Sequence, residues 1–302
     1  MRAHRLHSPM VIYFDAIRRA GSIREAARRL NVASSAVNRQ LLKLEAELGT
    51  QLFERLPNGL KLTHAGAIYA RHAIEVIQDA ERVRTDLEAL QGIRIGHVEL
   101  GAIESMTSSL LPKVVTDARR KYPGVSIGVT IMGSAAIPAA LASGDIDLGI
   151  AFGIERSPEL QQLSSARFAL GAVMRSDHPL AGEKTISVAK CRSQTLILPK
   201  SDLSIRQTLA QLLPNLTKSY IESNSMELAK RLTLQGLGIS FQTKVGIEQE
   251  LERNELVHLP LSTPAPVMQE LGVYVRAARN PPISVNVFAQ FFSDEINRVA
   301  SA

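Results

Sequence analysis

The chain has 302 residues, 45% hydrophobic and 21% charged, with a formal net charge of +6, as expected of a globular protein with more than one domain. It lacks the roughly 18 uninterrupted apolar residues of a membrane span, and its first apolar run stops at Asp15, too early for a signal peptide, so we expect a cytoplasmic protein without a membrane partner. A single cysteine, Cys191, excludes an internal disulfide, and the scattered histidines lack metal-ligand spacing, so we predict no metal site and no cofactor.

Three short helices are predicted within the first 48 residues. The first opens at Pro9 and stops at Gly21, and a capping box formed by Ser22 and Glu25 opens the second. A third begins at about Ser34. Its inward-facing residues are Val37, Leu41 and Leu44. Two helices separated by a tight turn, at about 22–44, form the helix-turn-helix arrangement, whose second helix enters the DNA major groove. An ordinary helical hairpin is the alternative.

The charge distribution favours DNA as the partner. Residues 1–66 contain 11 Lys/Arg and 5 Asp/Glu, so they carry the whole positive excess. Phosphate binding depends on such an asymmetry, because each neutralised phosphate releases counterions. A β-hairpin around the turn Pro57-Asn58-Gly59 would form a wing beside the third helix. The predicted DNA-binding residues are Ser34, Ser35, Asn38, Arg39, Gln40, Lys43, Arg55, Asn58 and Lys61.

A long helix is predicted at about 64–91. Its apolar residues recur every three or four positions and form a continuous seam that exceeds what the first 62 residues could cover. We expect this seam to pair with a partner chain, and packing against the second domain is the alternative. The predicted dimerisation residues are Ile74, Ile77, Val83 and Leu87.

After Gly92 strands alternate with helices, which indicates βαβ units and a parallel sheet. The predicted strands lie within 93–102, 122–131, 144–151, 169–174, 195–199, 220–223, 238–241 and 271–276. The predicted helices cover 105–122, 137–141, 206–213, 226–235 and 284–299. The chain has no G-x-S-x-G, Walker A or strand-linked G-x-G-x-x-G motif, so we predict that it is not an enzyme.

These features together closely resemble LysR-type transcriptional regulators. The family pattern of the N-terminal domain is matched at Gly21, Ser22, Ala26, Ala27, Leu30, Leu44, Glu45, Leu48, Gly49, Leu52, Phe53, Arg55, Leu62, Thr63, Ala65 and Gly66. Weaker matches in the second part are Y-P-G-V (122–125), G-D-I-D-L-G-I (144–150), D-H-P-L (177–180) and Q-G-L-G-I (235–239). The resemblance covers nearly the entire chain.

The resemblance implies a winged helix-turn-helix domain at 1–66, a linker and dimerisation helix at 67–93, and an α/β effector-binding domain at 94–302. The last would resemble periplasmic binding proteins, with lobe I at about 94–168 and 269–302 and lobe II at about 169–268. It also implies a small effector in the cleft, double-stranded promoter DNA as partner, and a homodimer or homotetramer. RNA polymerase is a further candidate partner.

Three positions at the start of the third helix depart from the family pattern. Ala33 stands where a Ser or Thr cap is usual, Ser34 where Gln is common, and Asn38 where Ser is usual. We expect Ser34 to take over the cap.

The effector site is predicted in loops that follow strands, since helix N-termini there favour anions. The candidates are Ser105, Thr107, Ser134, Pro199, Lys200 and Ser201, and the alternative is that they are caps and turns. A carboxylate is the candidate effector class, with Lys200 adding charge. Glu104 would disfavour an anion unless it points outward.

We therefore predict a sequence-specific DNA-binding transcriptional regulator controlled by a small molecule. One alternative is an architectural DNA binder with a vestigial effector domain. The other, a transport-type solute-binding protein, would require a signal peptide and no basic N-terminal domain.

Overall fold

The computed structural model describes residues 8–57, 59–90, 96–201, 203–212, 220–262, 265–277 and 281–301. The chain divides into two compact units, Met1–Gly92 and Ile93–Ala302. Among the described residues, no helix combines the length and the apolar character needed to cross a membrane.

The described residues of the N-terminal unit form four helices and one hairpin, which confirms the predicted elements. They are α1 (Pro9–Ala20), α2 (Ile23–Leu30), α3 (Ser34–Leu48), β1 (Phe53–Leu56), β2 (Gly59–Leu62) and α4 (His64–Leu90). The three short helices end at Gly21, Asn31 and Gly49, each with positive φ. That left-handed conformation stops a helix by turning the chain away from its axis. The buried residues of α1, α2 and α3 share one core with the hairpin and the start of α4.

The side chain of Glu45 joins α3 to the hairpin. Its carboxylate accepts the backbone N–H of Leu52 at 2.7 Å and that of Phe53 at 3.3 Å. The two N–H groups lie at the entry to β1, on the residue before the strand and on its first residue, and the carboxylate satisfies both donors. The glutamate in the motif L-E-x-x-L-G-x-x-L-F therefore fixes the connection between α3 and the hairpin.

Gly66, near the start of α4, is required for close packing. A Cβ atom there would lie 2.0 Å from the carbonyl oxygen of Leu52. In an open helical site, Gly→Ala stabilises by roughly 0.5–1 kcal/mol. Here the backbone contact reverses the sign, and Gly66→Ala should destabilise the N-terminal unit by roughly 1–3 kcal/mol.

Calorimetry of the full chain tests this prediction. Gly182→Ala is the matched control, because a Cβ at Gly182 meets no atom within 4 Å. The control should change stability by less than about 0.5 kcal/mol. Equal midpoints for the Gly66→Ala variant and the wild type would contradict the packing argument.

The C-terminal unit consists of two α/β lobes, each built on a five-stranded sheet. Lobe I has the strand order β4-β3-β5-β12-β6, and lobe II the order β11-β7-β10-β8-β9. The strands of lobe I are β3 (Gly96–Ala102), β4 (Val125–Ile131), β5 (Leu148–Phe152), β6 (Leu160–Ala169) and β12 (Met268–Arg276). Those of lobe II are β7 (Gly171–Arg175), β8 (Leu196–Pro199), β9 (Tyr220–Ser223), β10 (Ile239–Gln242) and β11 (Leu256–Pro260).

Helices cover these sheets and bury an apolar core in each lobe. They are α5 (Leu110–Lys121), α6 (Ile137–Ala142), α7 (Val188–Cys191), α8 (Ser204–Leu212), α9 (Met226–Leu234), α10 (Glu248–Glu252) and α11 (Ile283–Ser301). The predicted helix at 105–122 is divided into a 3-10 turn at Glu104–Ser108 and α5.

The predicted parallel pairing is confirmed for β3 with β4 and β5 and for β8 with β9 and β10, but both sheets also contain antiparallel strands that were not predicted. In lobe I, β12 pairs antiparallel with β5 and with β6, and in lobe II, β7 pairs antiparallel with β10 and β11. Strand β6 was missed because it is a half-exposed edge strand rich in Gln and Ser, so its sequence lacks the apolar run of a buried strand. Strand β11 was missed as well.

The chain passes between the lobes twice, at neighbouring points. It leaves lobe I after Ala169, the last residue of β6, and returns just before β12. The two crossings are hydrogen bonded to each other, since the N–H of Leu170 donates to the carbonyl of Val267 at 2.8 Å. The loop after β10 also reaches lobe I, because Val245 is buried in the lobe I core. These crossings place the carboxyl ends of strands from both lobes around one cleft.

Candidate DNA interface and effector cavity

Helix α3 presents a polar face opposite its buried one. Val37, Leu41 and Leu44 are buried, as predicted. Ser35, Arg39 and Lys43 recur every fourth residue, and all three are exposed along one side of the helix. Ser34 is exposed as well, whereas Asn38 and Gln40 are half-buried. The polar face offers the shape and the donors that a helix needs for reading base edges in a major groove.

The start of α3 has no side-chain cap. The N-cap residue is Ala33, and no side chain accepts a hydrogen bond from the first turn of the helix. The expectation that Ser34 would take over the cap was therefore wrong. At the start of α2, by contrast, the Ser22 hydroxyl accepts the N–H of Glu25 at 3.5 Å, while the Glu25 carboxylate binds Arg28 and Arg29. The first N–H groups of α3 remain available to an anion such as a phosphate.

The predicted wing is an antiparallel hairpin with paired strands β1 and β2. Glu54 lies opposite Lys61, and Arg55 lies opposite Leu60. Both basic side chains of the predicted set, Arg55 and Lys61, are exposed. The third member of that set on the hairpin, Asn58, lies outside the described residues.

The four predicted dimerisation residues of α4 differ in exposure. Ile74 is buried, and Ile77 packs against the core of the N-terminal unit. Val83 and Leu87 are exposed, Leu87 by 51%. The second half of α4 therefore carries apolar side chains that its own unit leaves in water.

A cavity of about 350 Å³ lies between the two lobes of the C-terminal unit. Lobe I contributes the ends of β4 and β5 and the segments that follow β3 and β4, and lobe II contributes the starts of α8 and α9 and the end of β10 with the loop after it. Ligands of open α/β sheets bind at this edge, where strands end and helices begin. The lining residues are Ile103, Glu104, Ser105, Ile131, Met132, Gly133, Ser134, Phe152, Leu203, Ser204, Ile205, Asn224, Ser225, Met226, Gln242, Thr243 and Val245.

Two of the six predicted effector-binding residues, Ser105 and Ser134, line this cavity. The other four are not among its lining residues. The hydroxyl of Thr107 donates to the carbonyl of Glu104 at 2.7 Å. Pro199 is buried at the end of β8, and Lys200 and Ser201 are exposed beyond it.

Sequence reasoning missed several polar lining residues of lobe II. They are Ser204, Asn224, Ser225, Gln242 and Thr243. Asn224 and Ser225 follow β9, and a general rule that polar residues after a strand line the cleft would have found them. Gln242 gives no such signal, because it is the last residue of a strand that otherwise reads as buried.

Glu104 of lobe I binds the start of helix α9 in lobe II. Its carboxylate accepts the hydroxyl of Ser225 at 2.8 Å, the N–H of Met226, and the N–H of Glu227 at 3.4 Å. A carboxylate at this position is favoured both by the free N–H groups and by the helix dipole. The side chain thus points into the cleft and ties one lobe to the other.

His258 contacts the backbone of the cavity residue Gln242. Its Nε2 lies 3.1 Å from the backbone oxygen of Gln242, and burial lowers the pKa of the imidazole. The unfolded chain therefore binds a proton at His258 more readily than the folded chain does. The folded state keeps the full stability that goes with a neutral His258 above the pKa of the unfolded chain. That stability declines as the pH falls below this value toward the lower pKa of the folded state.

We expect the thermal midpoint of the wild type to fall more than that of a His258→Gln variant between about pH 7 and about pH 5. Above about pH 7 the two profiles should run parallel, because both states then hold a neutral imidazole. A thermal-unfolding series across this range checks the difference, and parallel profiles throughout would contradict it.

Cys191 is a buried thiol in the core of lobe II. Burial raises its pKa to about 11, so it stays protonated near neutral pH and is a poor nucleophile. Among the described residues, no group of three His, Cys, Asp or Glu side chains is arranged to hold a metal ion.

Comparison with known proteins gives matches over both units. Residues 10–67 match the model of the bacterial regulatory helix-turn-helix protein, lysR family, and residues 92–297 match that of the LysR substrate binding domain. A RuBisCO operon transcriptional regulator of Allochromatium vinosum is 27% identical over 289 residues, 95% of each chain. A probable RuBisCO transcriptional regulator of Synechocystis is 32% identical over 82% of this chain and 74% of that protein.

Solved structures share the fold of the full chain. A full-length OxyR variant from Pseudomonas aeruginosa superposes with a TM-score of 0.77 at 21% identity, covering 95% of each chain. Full-length CbnR in complex with its target DNA superposes with a TM-score of 0.58 at 21% identity, covering 96% of this chain and 98% of that one. The comparisons support neither the architectural binder nor the transport-type binding protein.

Proposed function

This chain belongs to the LysR family of bacterial helix-turn-helix transcriptional regulators, and from that premise we infer that a small molecule bound in its inter-lobe cavity controls how it acts on DNA. The observation that carries the proposal is the position of the cavity, which is lined by residues of both lobes. A ligand there touches both lobes at once, so its binding free energy depends on how the lobes are arranged. A difference in affinity between two arrangements is what allows a ligand to shift a protein from one to the other.

We assign DNA contact to the exposed face of α3 and to the wing. Arg39 supplies a forked donor for base edges, and Ser34, Ser35 and the uncapped first turn of α3 can bind phosphate. Lys43, Arg55 and Lys61, which are exposed, add positive charge along the backbone, while Asn38 and Gln40 supply further polar contacts.

We also propose that the protein works as a homodimer or homotetramer in the cytoplasm, where its DNA target lies. The exposed Val83 and Leu87 on α4 support the dimer, since pairing two such helices removes both side chains from water. RNA polymerase is the further partner that a regulator bound at a promoter would contact.

The test joins ligand binding to DNA binding. Chromatin immunoprecipitation identifies the bound promoters, and a thermal-shift panel built on the metabolites of the neighbouring genes identifies ligands. A ligand that raises the melting temperature should also change promoter affinity or the length of DNA protected. If no compound that stabilises the protein alters its DNA complex, the proposed control is wrong.

A cavity-blocking variant sharpens this test. Ser134→Phe places a ring in the cavity and should abolish ligand stabilisation while leaving ligand-free DNA binding unchanged. Ser201→Phe adds the same ring at an exposed residue outside the cavity lining, and should bind ligand as the wild type does.

A further inference from the structure

The polar groups of the inter-lobe cavity differ in whether they have partners. Ser134 of lobe I is only 6% exposed and Gln242 of lobe II only 3% exposed, and both line the cavity. Neither the Ser134 hydroxyl nor the Gln242 amide forms a hydrogen bond within the part of the chain that the structure describes. Neither belongs to the fully buried polar atoms that lack a partner, so both groups open onto the cavity, where a bound ligand can donate and accept hydrogen bonds.

The charged group of the same cavity already has hydrogen-bond partners. Glu104 is the only charged residue among the described residues of the lining. Its carboxylate holds the hydroxyl of Ser225 and the N–H groups of Met226 and Glu227, the donors that an anionic ligand would use at the start of α9. A carboxylate ligand would find these donors occupied by Glu104, and the negative charge of Glu104 would repel it at short range.

Lys244 lies between the lining residues Thr243 and Val245, but it is exposed and is not itself a lining residue, and two further basic side chains near the cavity are paired with carboxylates. Arg206 pairs with Glu222 at 3.0 Å, and Lys230 is buried in contact with Glu227 at 2.8 Å and Glu250 at 3.0 Å. Lys200, which the sequence suggested as the anion partner, is exposed and outside the lining. No described lining residue therefore offers a cation to a carboxylate.

We propose that the cavity selects an uncharged small molecule with an apolar body, which hydrogen bonds to Ser134 and Gln242, and that Glu104 acts as a built-in anion that excludes carboxylates. The proposal rests on the proposed function, because it names the ligand class of that same cavity. Ile131, Phe152 and Val245 provide apolar walls for the body of the ligand. Glu104 is a specificity-determining residue because it fills the anion position of α9 from the opposite lobe.

Matched pairs of acids and amides test the ligand class, since each pair differs in charge and little in shape. Acetate with acetamide and benzoate with benzamide are titrated against the full-length protein in thermal-shift measurements. For the wild type, the amide of each pair should bind at least about tenfold more tightly than the acid, because the acid meets the charge of Glu104. Equal or tighter binding of the acids would overturn the proposal.

Two substitutions remove the built-in anion. Glu104→Ala frees the donors of α9, so acetate should bind this variant and raise its melting temperature, reversing the preference of the wild type. Glu104→Gln keeps the size of the side chain without its charge, and should reduce discrimination against acids by at least about tenfold even if the alanine variant fails to fold. Glu183→Ala, which removes an exposed carboxylate outside the cavity, should behave as the wild type does.

The outcomes separate the ligand class from the proposed function. If acids bind the wild type and Ser134→Phe blocks them, the cavity is an effector site but the ligand class is wrong. If the Glu104→Gln variant prefers amides over acids as strongly as the wild type does, the charge of Glu104 is not what excludes acids. Failure of every acid and amide to bind the wild type and the Glu104 variants would contradict the cavity as a ligand site, and the proposal with it.

Discussion

Replacing Arg39 by alanine is expected to weaken promoter binding by about 1–3 kcal/mol, or roughly fivefold to 150-fold, without unfolding the protein. The guanidinium lies on the exposed side of α3, away from the buried Val37 and Leu41, so its loss leaves the core intact. Its fork of donors matches the two acceptors of a guanine in the major groove, and alanine can replace neither bond. Gel-shift titration against a promoter fragment measures the effect.

The sequence dependence of that loss distinguishes base reading from charge. Lys43→Ala, one turn further along the same face, should weaken binding to all DNA sequences alike and lower the salt dependence by about one phosphate contact. Arg39→Ala should instead reduce the preference for the promoter over unrelated DNA. If both variants lose affinity uniformly, Arg39 is a phosphate contact, and if Arg39→Ala binds as tightly as the wild type, α3 is not the recognition helix.

Replacing Leu87 by aspartate is expected to convert the oligomer into smaller species. Leu87 is 51% exposed on α4, so in the isolated chain an aspartate there would remain in water at little cost. In a helix pair the same carboxylate would be buried without a partner, which costs several kcal/mol per chain. Light scattering should show a mass at least halved relative to the wild type at the same concentration.

The choice of Leu87 follows from the packing of α4. Ile77 was the obvious target on the same seam, but it packs against the core of its own unit, so an aspartate there would damage the monomer and the oligomer together. Leu237→Asp is the matched control, because Leu237 is 48% exposed on the C-terminal unit. An unchanged mass for Leu87→Asp would place the dimer contact elsewhere, and equal dissociation of both variants would remove the special role of α4.

The sequence alone predicted the elements whose causes are local. Gly21 and Gly49 end helices because their positive φ is accessible mainly to glycine, and the spacing of Val37, Leu41 and Leu44 defines the inner face of α3. The turn at residues 57–59 between two short apolar runs predicted the wing hairpin. The net positive charge lies entirely within residues 1–66, which added a physical reason for DNA binding.

Patterns along the chain were less informative about the sheets of the C-terminal unit. The alternation of helices and strands after Gly92 identified most elements and the parallel pairs, but not the antiparallel pairs, which depend on where the chain crosses between the lobes. Strand β6 was missed because an edge strand exposes much of its surface and so needs few apolar residues.

Only the tertiary structure decided how the cavity is lined. Glu104 meets Ser225 from a position 121 residues earlier in the chain, and Ser134 faces the same cavity as Gln242 from the other lobe. Residue type and spacing indicate which face of a single helix or strand is buried, because that face repeats every three or four residues in a helix and every two in a strand. The partner of a carboxylate across a cleft depends on two chain crossings and two sheets, and no local pattern carries that information.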